Sequence, residues 1–129
     1  MRSLVGMTST SEQPPRSDSP TVGELLPRAA EAYTAPEKWD QWILTDRGHG
    51  WEWARVFRVG PADVEEIWHA IADAVLDAPI SSVRRADTGV SCAVYVVLTI
   101  NARTAAVRTV WHYANAGAAP RLVTGFPVP

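Results

Sequence analysis

The chain has 129 residues, 47% of them hydrophobic, with 12 basic and 14 acidic side chains and a formal net charge of −2. That length suits one domain. No apolar run approaches the roughly 20 residues of a membrane helix, and the single cysteine, Cys92, excludes an intrachain disulfide and a cysteine-based zinc site.

Residues 1–20 read "MRSLVGMTSTSEQPPRSDSP". This stretch is rich in Ser, Thr and Pro, has no face to bury and lacks the apolar centre of a signal peptide, so disorder is expected. The folded domain is expected over 21–129, in a cytoplasmic protein. "TVGELLPRAAEAY" has helical spacing and tolerates Pro27 in a first turn, which predicts a short helix from about Glu24. "TAPEKWDQWIL" predicts another, capped by Thr34, with Trp39, Trp42 and Ile43 on one face. Two glycines in "TDRGHG" then break the chain. "WEWARVFRVG" fits either a strand or a helix closed by Gly60. "PADVEEIWHAIADAVLDAP" is the clearest helix: Pro61 opens it, Asp63, Glu65 and Glu66 complement its dipole, and Pro79 stops it.

After residue 80 the apolar period changes from 3.6 to 2. "VSCAVYVVLTI" alternates as a central strand, with Cys92 as a small buried side chain. "AAVRTVWHYA" and "RLVTGFPV" follow across short turns. The expectation is an α+β fold: N-terminal helices packed on an antiparallel meander of three strands, or four.

Charge is unevenly divided. Residues 1–79 hold 13 acidic and 7 basic groups, whereas residues 80–129 hold Asp87 against Arg84, Arg85, Arg103, Arg108 and Arg121. A basic C-terminal half suits an anionic partner, although strand-edge arginines also deter aggregation. No phosphate loop, dinucleotide fingerprint, zinc-protease helix or serine-hydrolase elbow is present, and nothing in the sequence calls for a metal or cofactor.

A few residues carry candidate chemistry. His49 sits between glycines near Asp46 and Arg47, where an imidazole can act as acid or base. His69 reads as a solvated helix residue. Arg108 and His112 lie about 13 Å apart along one strand face and can line one groove. Of the six tryptophans, Trp39, Trp42, Trp53 and Trp68 read as core. Trp51 and Trp111 remain candidates for stacking on bases, as in single-strand RNA recognition. Thr124 alternates with Leu122 and Phe126 on an apolar side, so its hydroxyl needs a partner.

Four segments, "APEKWDQWIL", "WARVFRVG", "RTVWHYA" and "PRLVTGFP", resemble in order those of a small bacterial domain family of unknown function. The likeness spans about residues 33–129. Members of that family occur alone and at the ends of polymorphic toxins. The helix-then-sheet layout and closing strand are also similar to the ribonuclease toxins that include RelE, barnase and EndoU-like domains. What this resemblance implies is metal-independent RNA cleavage on a sheet face, with the 2′-hydroxyl as nucleophile. His49 would serve as acid or base, Arg55 and Arg121 would hold phosphate, and Thr124 would be a polar group at the scissile site. Lys38, Arg108 and Trp111 would contribute to substrate binding. A lysine and a tyrosine of the family pattern are Trp53 and Phe126 here. The expected function is therefore a toxin-like RNA endonuclease with RNA and a cognate antitoxin as partners. The alternative is a non-catalytic, immunity-like module whose acidic helical face binds a basic protein.

Overall fold

The computed structural model describes residues 19–39, 43–45 and 48–128. Residues 1–18, 40–42 (among them the expected core residue Trp42), 46–47 and 129 lie outside the described residues. The fold is α+β, with one five-stranded mixed sheet: β1 (Tyr33–Thr34), β2 (Ile80–Ala86), β3 (Gly89–Ile100), β4 (Arg103–Tyr113) and β5 (Arg121–Pro127). In space the order is β1-β5-β4-β3-β2. Strands β2 to β5 form an antiparallel meander, and β1 runs parallel to β5. The helical elements are a single turn α1 (Pro36–Lys38), α2 (Gly50–Phe57) and α3 (Val64–Ala74), with 3-10 turns flanking α3 on both sides. None of the described helices is long and apolar enough to cross a membrane.

The sheet has five strands where three or four were expected, and β1 and β2 are the additions to the three read from alternation. In β2 only Ile80 is buried and Val83 half-buried, because this edge strand has one neighbour and keeps Arg84 and Arg85 in solvent. Its side chains therefore carry no alternation. Strand β1 is two residues long and held by backbone pairing to Arg121 and Leu122, which side-chain pattern does not report.

The helix expected from Glu24 does not form. Pro27 disfavours helical backbone at Leu26, and Arg28 takes a left-handed φ of 56°. Instead Leu25 bridges to Pro79 while Gly23 and Glu24 exchange backbone bonds with Ile80, leaving one 3-10 turn over Ala29–Glu31. Thr34 is not a cap either: Ala35 holds that position, and the Thr34 hydroxyl accepts the indole N–H of Trp39 at 2.7 Å. The ambiguous segment 51–59 is helical, and α2 ends where Arg58 turns left-handed at φ 59°.

Helices α2 and α3 cover one sheet face. Trp53 and Phe57 of α2 and Ile67 and Ile71 of α3 meet Val94, Val96, Val107, Trp111 and Leu122 in one fully buried cluster. Each large buried indole places its N–H on an acceptor, as a dry site requires: Trp53 on the Gly125 carbonyl at 3.0 Å, Trp111 on Thr109 Oγ1 at 2.8 Å. Thr109 itself is wholly buried and donates to the Val94 carbonyl at 2.7 Å. Thr109→Val keeps the volume but strands the Trp111 N–H. It should cost about 1–3 kcal/mol, readable as a lower midpoint in urea with an unchanged slope.

Cys92 is likewise fully buried, and burial pushes its thiol from 9.0 up to about 11. Tyr113, whose hydroxyl donates to the Pro27 carbonyl at 2.6 Å, is pushed upward for the same reason. Both groups favour the protonated, folded form. The Cys92 contribution is complete below the unfolded thiol value near 9 and is lost as pH rises through about 11, and that of Tyr113 is lost at still higher pH. A thiol reagent at pH 8 should leave native Cys92 unmodified and react fully once the chain is denatured.

Candidate active site on the open sheet face

Among the described residues no helix covers the sheet's second face, and the register fixes what it carries. Cross-strand partners share a face. One row runs Arg84, Ser91, His112, Arg121; the next runs Ser82, Ala93, Val110, Thr124; a third runs Tyr95, Arg108, Phe126. No aspartate or glutamate occupies these strand positions; Asp87 sits in the turn beyond their end. Tyr95 is 48% exposed beside Arg108. The face is thus cationic, with an accessible aromatic ring among its arginines.

Position 124 lies on this open face, opposite to the alternation expected with Leu122. A bulge explains the change. Val110 pairs with Thr124 and the adjacent Trp111 pairs with Leu122, so Val123 is an extra residue in β5. Leu122 stays in the core, whereas Thr124 and Phe126 cross to the other face. The Thr124 hydroxyl is buried there and has no hydrogen-bond partner among the described residues.

At the β5 edge a corner forms from three distant parts of the chain. His49, the residue preceding α2, stacks on Phe126 with ring centroids 4.3 Å apart and an interplanar angle of 24°. Its Nδ1 lies 2.9 Å from Glu52 Oε1. One helical turn separates these two residues, which places both side chains on one side of α2. A carboxylate accepts only, so Nδ1 bears the proton and Nε2 is left as the working nitrogen. Arg108 sits on Phe126 with its guanidinium carbon 6.0 Å from the ring centroid. His49 and Arg108, both singled out in the sequence, therefore meet on Phe126, and Thr124 precedes it by two residues on the same face of β5.

The remaining candidates lie elsewhere. Arg55 is exposed on the outward stripe of α2, its guanidinium 4.8 Å from the Trp51 ring centroid. Trp111 faces the core with no exposed surface and a committed N–H, so it offers no ring to a base. Lys38 closes α1, outside this corner. Arg121 is on the open face, paired with His112 in the row farthest from Phe126. His69 is exposed on α3. Sequence reasoning missed Glu52, Phe126 as the platform for His49, and Arg84 and Tyr95 on the open face. The H-x-x-E spacing at a helix start was the readable signal for Glu52. Among the described residues, no three His, Cys, Asp or Glu side chains gather as a metal-ligand group.

Fold and site together define an α+β protein with a mixed sheet, helices on one face and a cationic open face with an imidazole–carboxylate pair at its edge. No family model, curated protein or solved structure matches the chain.

Proposed function

We propose that the chain is a small toxin-like RNA endonuclease that binds single-stranded RNA across the open sheet face. The observation that carries this reading is the corner where His49, oriented by Glu52, and Arg108 both pack on Phe126, with Thr124 two residues away on the same strand face. Cations between accessible aromatic rings suit a phosphate backbone with splayed bases. In the reaction, His49 Nε2 takes the proton of a 2′-hydroxyl and the 2′-oxygen attacks the adjacent phosphorus. The 5′-oxygen departs as the P–O bond breaks, and the imidazolium returns the proton to it. The products are a 2′,3′-cyclic phosphate and a 5′-hydroxyl. Arg108 offsets the charge that builds on the phosphorane, the kind of term that dominates such catalysis. The test is incubation of purified protein with single-stranded RNA in the presence of a metal chelator, with end-group analysis of the products. Fragments ending in cyclic phosphate are expected; intact RNA at stoichiometric protein overturns the reading.

A second reading has its own observation. Glu65, Glu66, Asp73 and Asp77 stand exposed on the helix layer, and none forms an ion pair among the described residues. This acidic face suits a basic protein partner, as for an immunity-like module. A partner retained by the native chain and lost from a Glu65→Lys/Glu66→Lys/Asp73→Lys variant would support it.

A further inference from the structure

The end of the open face away from His49 carries a polar group that the cleavage corner does not use. Arg84, Ser91, His112 and Arg121 line up in one row across β2, β3, β4 and β5. At about 4.8 Å per strand the outer two are roughly 14 Å apart at the backbone, with serine and histidine between them. His112 Nε2 is 3.0 Å from the Thr88 carbonyl oxygen. A carbonyl only accepts, so Nε2 carries a proton and the ring is held in one orientation. Nδ1 then faces Ser91 Oγ at 3.4 Å. That bond is long, so the serine hydroxyl can turn to an incoming oxygen at little loss. Arg84 and Arg121 make no hydrogen bond or ion pair among the described residues, which leaves both guanidiniums free as donors. Beside the row a shallow depression opens, lined by Ser82, Arg84, Ser91 and Arg108.

We infer that this row is a phosphate-binding subsite, in which Arg84 and Arg121 grip phosphate oxygens and the Ser91 hydroxyl, turned away from His112 Nδ1, supplies a third donor. Identifying the anion as a phosphate of single-stranded RNA rests on the endonuclease reading above. His112 is four residues along β4 from Arg108, about 13 Å at strand rise. The row therefore holds a different phosphate from the scissile one and fixes the register of the strand over the His49 corner. Arg is suited to this task because its fork donates in pairs to phosphate oxygens.

The experiment follows the His112 ring protons by NMR as inorganic phosphate is added to the full chain. Saturable shifts are expected in the native protein and in His49→Gln. In Arg84→Gln/Arg121→Gln the apparent affinity should fall at least tenfold. The same double variant should bind an eight-nucleotide 2′-deoxy oligonucleotide, which lacks the nucleophile, about tenfold more weakly. Its salt dependence should drop by about 1.4 in log–log slope, the value for two lost single-strand phosphate contacts. Ser91→Ala, which removes one donor and no charge, should weaken phosphate binding severalfold and leave the slope unchanged. Shifts that rise without saturating, or a double variant with native affinity, overturn the subsite. Saturable phosphate binding by a chain that leaves RNA intact removes the endonuclease reading and keeps the subsite, so the two failures are separable.

Discussion

Replacement of His49 by glutamine should slow RNA cleavage by about 10²–10⁴-fold, the usual contribution of a positioned acid–base group. Glutamine retains a planar side chain able to pack near Phe126 and to bond Glu52, so RNA binding and the unfolding midpoint should stay close to native. Glu52→Gln tests the layer behind it. The ring keeps a hydrogen-bond partner at Nδ1, 2.9 Å away in the native chain, but loses the carboxylate that favours the imidazolium formed during proton transfer. A drop of about tenfold is expected, in kcat more than in KM, because the effect acts through His49 and not on the bound strand. Thr124→Val separates function from stability at the third member of the corner. Its hydroxyl is buried without a partner, an arrangement that costs about 1–3 kcal/mol. The valine variant should therefore unfold at a higher temperature while cleaving more slowly. A stabilised variant with native activity would take Thr124 out of the site. Native cleavage by His49→Gln would do the same for the histidine and, with it, for the proposed chemistry.

The parts of this fold that depend on side-chain periodicity were legible, and the parts that depend on backbone pairing were not. Strands β3 and β4 alternate because both are interior strands with one face on the core, and α3 shows its stripe because Ile67 and Ile71 are wholly buried. Strand β2 is at an edge and β1 is two backbone pairs long, so neither needs a pattern. Alternation was also the wrong guide at Thr124, because one inserted residue in β5 reverses the face of everything after it. His49 and Arg108 were chosen for their chemistry and converge on Phe126, with Thr124 two residues away along β5. Arg55 was chosen on the same grounds and stands over Trp51 instead, since helical phase, not residue type, decides which side of α2 a group occupies. Trp111 shows the converse error: an aromatic beside basic residues in the sequence sits on the opposite sheet face from them.

Gly89→Ala should destabilise the chain by about 3–5 kcal/mol, in the range reserved for backbone strain combined with a steric clash. Asp87 and Thr88 form the tip of the β2–β3 hairpin, with Ala86 paired to Gly89. Gly89 has a φ of 130°, in a region that side-chain-bearing residues rarely enter. An added Cβ would also run into the Tyr113 carbonyl oxygen, a backbone atom of the neighbouring strand. It would come within 2.9 and 3.0 Å of the His112 ring atoms Cε1 and Nε2. Backbone cannot yield there without breaking the β3–β4 ladder, where Val90 pairs with Tyr113 and Ser91 with His112. The ring cannot yield without releasing the Thr88 carbonyl. The glycine therefore does two things at once: it closes the hairpin and leaves the space in which His112 is held against Thr88 and Ser91. Two comparisons isolate these effects in chemical denaturation. Thr88→Ala keeps the carbonyl and should change stability by less than about 0.5 kcal/mol, as an exposed turn substitution does. His112→Ala in the Gly89→Ala background removes the ring clash and should recover only part of the loss, because the Tyr113 carbonyl and the positive φ remain. Full recovery would show that the ring alone sets the need for glycine, and that the hairpin tolerates a side chain at this position.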